Sequence, residues 1–376
     1  MLRRSLFVLG VVVLCSCGTS GAPLDGGASG GGTQGTGGGS STGGGGGSND
    51  DAGVLTVLDG GIEAALEAWT WVDFPDAVCG NGAATGLGLN PTTRSKDVLI
   101  YLEGGGACWN QLTCLNLHTA ANLDTGYTQA DFLADPFIAP TNLARSEPLN
   151  PFRDMSYVYV PYCTGDVHAG DSVQAYTATR TVFHKGAKNL DAFLARLVAT
   201  FPDARRVFLA GSSAGAFGAQ LNYPRVAAAF PHAEVHVLAD CGPMVNPVGT
   251  RLSEWLTAWN VTIPAACTGC STDFPSYPRW LSSQFPNSRF ALLAYEQDTV
   301  LSTFFGYDLA GQATQTRALE ASSYDGQPNA RYFVLPDASH VMLTGLYTLV
   351  GNGSVSLDAW VTDFVDGGAG WNDVKP

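Results

Sequence analysis

The feature that most constrains this chain is the run Phe208-Leu209-Ala210-Gly211-Ser212-Ser213-Ala214-Gly215. An apolar, strand-like segment enters Gly-x-Ser-x-Gly directly, and a helical pattern of small residues follows it. A serine on such a strand-to-helix turn sits in strained backbone, so only small neighbours fit beside it. Here they are Gly211, Gly215, Ala214 and Ala216. The turn requires a buried strand that hands over to a helix packed on the same sheet, which points to a fold of alternating strands and helices. It also makes Ser213 the candidate nucleophile, with the amides and dipole of the new helix directed at any oxyanion forming there.

The rest of the chain agrees with that demand. Asp97–Leu102, Ser156–Pro161, Arg206–Ala210, Glu234–Ala239, Arg289–Tyr295 and Arg331–Leu335 are short runs ending near Gly, Asp or Pro. Near-continuous apolar character over such lengths predicts strands buried on both faces, as in a parallel sheet. Helices are predicted over Gly186–Phe201, where Pro202 stops the pattern, from Ala214 to Phe230, and over Leu357–Val365. The fold class is therefore α/β, with a mainly parallel central sheet and helices on both faces. With 45% hydrophobic and 14% charged residues the chain can bury one sizeable core, and no internal repeat divides it. A net charge of −14 argues against a nucleic-acid partner, whose phosphates demand a basic face.

The N-terminal region has a different character. Arg3 and Arg4 precede the apolar run Ser5–Leu14, and Leu14-Cys15-Ser16-Cys17-Gly18 resembles a bacterial lipoprotein cleavage site. That resemblance implies a signal peptide over residues 1–16, with a lipid on Cys17 anchoring the exported protein to a membrane of the cell envelope or surface. Residues 17–53, rich in Gly, Ser and Thr, have no apolar periodicity and are expected to form a disordered linker. Residues 54–376 are expected to form the catalytic domain.

Beyond Cys15 and Cys17, seven of the nine cysteines remain, an odd number that leaves at least one unpaired within the chain. Export favours disulfides, and Cys108 with Cys114 is the preferred pair because it braces the loop after a glycine run. Cys267-Thr268-Gly269-Cys270 is read as a local bridge. A zinc or redox role needs a second ligand pair or a thioredoxin-like context, and the sequence shows neither. No metal or cofactor is expected.

A serine nucleophile needs an oxyanion hole, a base and an acid. Leu102-Glu103-Gly104-Gly105-Gly106-Ala107-Cys108-Trp109 follows a strand, and its glycines let amides approach a ligand without an intervening Cβ. The amides of Gly105, Gly106 and Ala214 are the expected hole. Of the histidines beyond the serine, His232 lies at a helix end and His236 within a strand. His340 follows the final strand, on the same side of the sheet as Ser213, and is the expected base. Asp298, just past the strand ending at Tyr295, is the expected acid, with Glu296 and Asp240 as rivals.

Taken together, these motifs resemble the pectin acetylesterase family, which includes animal carboxylesterases. The resemblance rests on Cys79-Gly80-Asn81-Gly82, Leu102-Glu103-Gly104-Gly105-Gly106 with Cys108, Trp109 and Cys114, Tyr162-Cys163-Thr164-Gly165-Asp166, and Gly211-Ser212-Ser213-Ala214-Gly215. It implies a metal-free carboxylic-ester hydrolase of α/β-hydrolase type with Ser213, Asp298 and His340 as triad. The implied substrate is a short acyl group, such as acetate, on a polysaccharide. Two departures stand out: Glu296-Gln297-Asp298 around the acid, and Ala216-Phe217 where many members carry a further glycine. A long-chain esterase, lipase or polyester depolymerase is the alternative enzyme. A non-catalytic glycan-binding surface lipoprotein is the alternative of another class, and Ser213, Gly104–Gly106 and His340 count against it. Asp166, His168 and Asp171 are read as a solvated loop held by Cys163, and Trp69, Trp71 and Trp109 as aromatic core.

Overall fold

The computed structural model describes residues 60–135 and 143–376, so Cys17 and the expected leader and linker lie outside the described residues. In chain order the strands are β1 (Thr70–Val78), β2 (Ala84–Asn90), β3 (Asp97–Leu102), β4 (Ser156–Val160), β5 (Ser172–Ala175), β6 (Thr181–His184), β7 (Arg206–Ser212), β8 (Glu234–Asp240), β9 (Phe290–Tyr295) and β10 (Ala330–Leu335). The α-helices are α1 (Gln129–Ala134), α2 (Gly186–Thr200), α3 (Ala214–Ala229), α4 (Arg251–Trp259), α5 (Ser276–Gln284), α6 (Thr299–Phe305), α7 (Leu309–Leu319) and α8 (Leu357–Asp366).

The central sheet has the order β1-β2-β4-β3-β7-β8-β9-β10. Every pairing from β4 to β10 is parallel, and β1 and β2 are antiparallel additions at one edge. All six apolar runs seen in the sequence are strands of the parallel part. Their alternate residues feed two separate cores. Ile100, Leu209, Val237 and Leu292 face one core, which α2, α3, α4 and α5 cover. Leu99, Phe208, Leu238 and Leu293 face the other, which Trp360 and Phe364 of α8 cover. Burial on both faces explains why these strands read as continuous apolar runs rather than alternating ones.

The strands at the antiparallel edge escaped the sequence pattern for a physical reason. β1 carries Pro75 and acidic residues, which edge strands tolerate. β2 is interrupted by Gly86 and Gly88, whose substitution would drive a Cβ into the Val72 carbonyl and the Phe132 ring. Close approach selects glycine there, against its poor strand propensity. Among the described residues no helix is long and apolar enough to cross a membrane.

Parallel pairing of β7, β8, β9 and β10 brings their C-terminal ends to one edge of the sheet. Ser213 follows β7, Asp240 ends β8, Asp298 follows β9 and His340 follows β10. Four chemically capable residues, spread over more than a hundred positions, therefore share that edge, the usual ligand side of such sheets.

Candidate active site

Ser213 occupies the junction between β7 and α3 with φ 55° and ψ −120°. That conformation costs energy for a residue with a Cβ and persists only where its surroundings enforce it. The enforcement is visible. A Cβ on Gly215 would collide with Leu102 O, and one on Gly211 with Gly215 O. Ser213 N–H donates to Asp240 O at 2.8 Å. The result presents a mostly buried serine side chain at the start of α3.

His340 Nδ1 lies 2.7 Å from Asp298 Oδ2. An ionised carboxylate only accepts, so Nδ1 carries the proton and Nε2 remains as the basic lone pair. No hydrogen bond joins His340 Nε2 to Ser213 Oγ among the described residues. Contacts between base and nucleophile often tighten only in the Michaelis complex. Asp298 is fully buried, and its other oxygen, Oδ1, accepts from Val300 N (3.0 Å) and Leu301 N (2.9 Å), capping α6. Backbone bonds from Gln297 N to Asp337 O and Thr299 N to Ala338 O lace the Asp298 loop to the His340 loop.

The rival residues have other partners. Glu296 Oε1 accepts from Arg317 at 3.0 Å. Asp240 accepts from Ser212 Oγ at 2.6 Å and from Met342 N at 2.7 Å. His236 packs in the sheet against Phe208 and accepts from Arg289 N, and burial pushes it down to about 3. His232 is exposed.

The glycine run meets the elbow directly. A Cβ on Gly104 would lie 2.6 Å from Ser212 O, while Gly105 and Gly106 have φ 148° and 74°. Ala107 N donates to Thr119 O and Gly105 O accepts from Ala121 N. In that antiparallel pattern the Gly106 amide faces away from its partner strand, toward the space it lines with Ser213 and Ala214. Ala214, as the first residue of α3, has no carbonyl one turn back to receive its N–H.

Behind Ser213 opens a narrow cavity that reaches the surface. Its lining is almost wholly apolar: Val167, Phe217, Leu221, Leu252, Trp255, Leu256, Trp259, Val261, Phe274, Leu301, Phe304 and Phe305. Phe217 stacks on Phe274 with centroids 6.4 Å apart, and Trp109 meets Trp255 edge-on. Trp69 and Trp71 pack elsewhere, against Phe132.

One reading from the sequence needs correction. Asp166 and His168 are buried, not part of a solvated loop. Asp166 accepts from Thr164 Oγ1, His168 N, Gly170 N and the Gly186 N–H that opens α2. His168 Nε2 pairs with Glu103 O at 2.8 Å, and burial lowers its pKa, so the neutral ring donates to and braces the peptide that opens the glycine run. The local sequence carried no signal for this, because two aspartates flanking a histidine read as an exposed polar loop. Asp171 pairs at the surface with Lys185.

The cysteines complete the frame. Cys108–Cys114 is bonded, as are Cys267–Cys270 and Cys79–Cys163, the last not foreseen because its partners are 84 residues apart. Cys241 is free and buried, and its Sγ, an Asp298 oxygen and a His340 nitrogen lie within 4.8 Å of one another. Burial, aided by the Asp240 and Asp298 charges, pushes the thiol pKa well up.

Residues 66–264 match the family model for Pectinacetylesterase, just over half of the chain. The chain belongs to the pectinacetylesterase family. Among the relatives of this chain, the palmitoleoyl-protein carboxylesterase NOTUM of Schmidtea mediterranea is 31% identical, over 41% of this chain and 29% of its own. The NOTUM of Homo sapiens is 30% identical, over 50% of this chain and 42% of its own. Pectin acetylesterase 11 of Arabidopsis thaliana is 24% identical, over 58% of each chain. The chain thus spans less than two thirds of the length of these relatives. The family match includes the glycine run and the elbow but ends before Asp298 and His340.

Proposed function

We propose that this member of the pectinacetylesterase family is a serine carboxylic-ester hydrolase acting through an acyl-enzyme. The observation that carries the reading is the 2.7 Å Asp298–His340 pair on the sheet edge that also bears the strained Ser213 elbow. His340 Nε2 takes the Ser213 proton as Oγ attacks the ester carbonyl, and Asp298 holds the ring and stabilises the imidazolium. Amides of Gly105, Gly106 and Ala214 receive the oxyanion. The imidazolium protonates the leaving alcohol, then His340 deprotonates water to release the acid and restore Ser213.

For the acyl group two readings compete. Acetate on a polysaccharide is the reading drawn from the family's plant member, named as a pectin acetylesterase. The apolar cavity beside Ser213 favours a longer acyl chain, in keeping with relatives named for palmitoleoyl esters. Hydrolysis of p-nitrophenyl esters from acetate to palmitate, with Ser213→Ala alongside, tests both. Loss of activity in the variant supports the esterase reading, and equal rates sink it. Rates falling with chain length favour the deacetylase, and rates rising favour the long-chain reading.

Anchoring belongs to the same proposal: a leader over residues 1–16, a lipid on Cys17, a linker to residue 53 and the catalytic domain from residue 54 place the enzyme at the cell envelope. Metabolic labelling with an alkyne fatty acid should mark the full chain and not Cys17→Ala. Labelling of both alike, or of neither, would overturn the anchor.

A further inference from the structure

We propose that Asp240 is a positioning residue that ties the loop carrying His340 to the elbow carrying Ser213. The proposal rests on the esterase reading, because it assigns work to a residue that contacts neither substrate nor the reacting atoms.

Three donors converge on this one buried carboxylate. Ser212 Oγ donates to Oδ2 at 2.6 Å, Met342 N to Oδ1 at 2.7 Å and Leu343 N to Oδ2 at 3.1 Å. Ser212 immediately precedes Ser213, and Met342 and Leu343 follow His340 by two and three residues. The backbone of Asp240 joins in, since its carbonyl accepts from Ser213 N at 2.8 Å. Tyr101 OH donates to Ser212 Oγ at 2.8 Å and fixes that hydroxyl so that its own proton points to Asp240.

Such a clamp is needed because the base loop is strained. Val341, between His340 and the clamped amides, has φ 57°. A β-branched residue enters that region only where the surrounding structure over-determines it. The two amides just beyond it are held by Asp240, and Asp298 holds the His340 ring on its other side. With Asp240 removed, the Met342 and Leu343 amides lose their acceptor, and relaxation of the Val341 backbone shifts His340 relative to Ser213. Asn cannot substitute, because whichever way its amide is turned a donor replaces one acceptor oxygen and faces the N–H of Met342 or of Leu343.

The residues lining the acyl cavity include neither Asp240 nor any residue of the His340 loop, so the predicted defect is in turnover and not in binding. Steady-state kinetics on the full chain with the best p-nitrophenyl ester test this in Asp240→Asn, Ser212→Ala and Ser213→Ala. Asp240→Asn is expected to fold and to lose about 100-fold in kcat, the scale of a misplaced catalytic group, with KM held. Ser212→Ala, which cuts the tie to the elbow alone, is expected to lose less, again in kcat. A folded Asp240→Asn with unchanged kcat overturns the proposal, and so does a parallel change in kcat and KM, which marks general distortion. Should Asp240→Asn fail to fold, Ser212→Ala decides: reduced kcat at constant KM supports the tie, and wild-type kcat overturns it. Activity retained in Ser213→Ala would mean that the esterase reading has failed, a result separate from either.

Discussion

Asp298 performs two jobs with two oxygens, and two substitutions separate them. Oδ1 caps α6 through the Val300 and Leu301 amides, and Oδ2 meets His340 Nδ1. Asp298→Ala removes both functions. Loss of the cap costs about 1–2 kcal/mol of stability, and loss of the orienting carboxylate removes most of turnover. Asp298→Asn behaves differently. Its carbonyl oxygen still accepts from the two amides, so stability stays near wild type. Its NH2 then faces His340, forces Nδ1 to accept and moves the imidazole proton to Nε2, the wrong tautomer for a base. In serine hydrolases that change costs on the order of 10⁴ in kcat, which at about 1.36 kcal/mol per decade is about 5.5 kcal/mol of barrier. Denaturant titration measures the stability arm, and p-nitrophenyl ester turnover measures the catalytic one. A folded Asp298→Asn protein with near-wild-type kcat would refute the assignment of the acid, and equal stability of the Ala variant and wild type would refute the cap.

Three further outcomes are expected. If the cavity holds the acyl chain, each added methylene should raise kcat/KM about fourfold, from about 0.8 kcal/mol per buried CH₂, until the cavity is full. Leu252→Glu, which places a charge in that lining, should abolish the trend for octanoate and spare acetate. Removing Cys79–Cys163, which closes 84 residues of chain, should cost about 4.6 kcal/mol by loop entropy, against about 2.2 for the six-residue Cys108–Cys114 loop; equal losses in denaturant titrations would contradict this ordering. Burial, with Asp135 nearby, pushes Glu103 up to about 8 from 4.5. The folded state therefore keeps a proton that the unfolded chain has lost across that window, and this contribution to stability declines as pH rises from 4.5 to about 8. Glu103→Gln should flatten that slope in denaturation curves taken from pH 5 to 8, and an unchanged slope would exclude Glu103 as its source.

The six parallel strands, α2 and α8 were legible in the sequence because each is buried in a way that leaves a local record, whereas α3, buried on nearly every side, was legible through the elbow that opens it. A strand covered on both faces is apolar throughout, and a helix covered on one face repeats every three to four residues. The elbow was legible because its strain admits only small residues around Ser213. Helices α4 to α7, of seven to eleven residues, and the edge strands β1 and β2 were not read from the sequence. Their faces meet the sheet, the cavity or each other in short stretches, and close packing at Gly86 and Gly88 overrides strand propensity. The sequence alone also determined which residue types were available for chemistry at the ends of the strands. It did not determine which of Asp240, Glu296 and Asp298 meets His340, nor that Cys79 bonds Cys163. It was also silent on the apolar cavity, which draws on residues from 106 to 305. The Asp298–His340 meeting was decided by the parallel register of β7 to β10 and the Cys79–Cys163 bond by the packing of the β1-β2-β4 edge, because a partnership between residues far apart in the chain follows from where the sheet sets their strands down, and no local pattern encodes that placement.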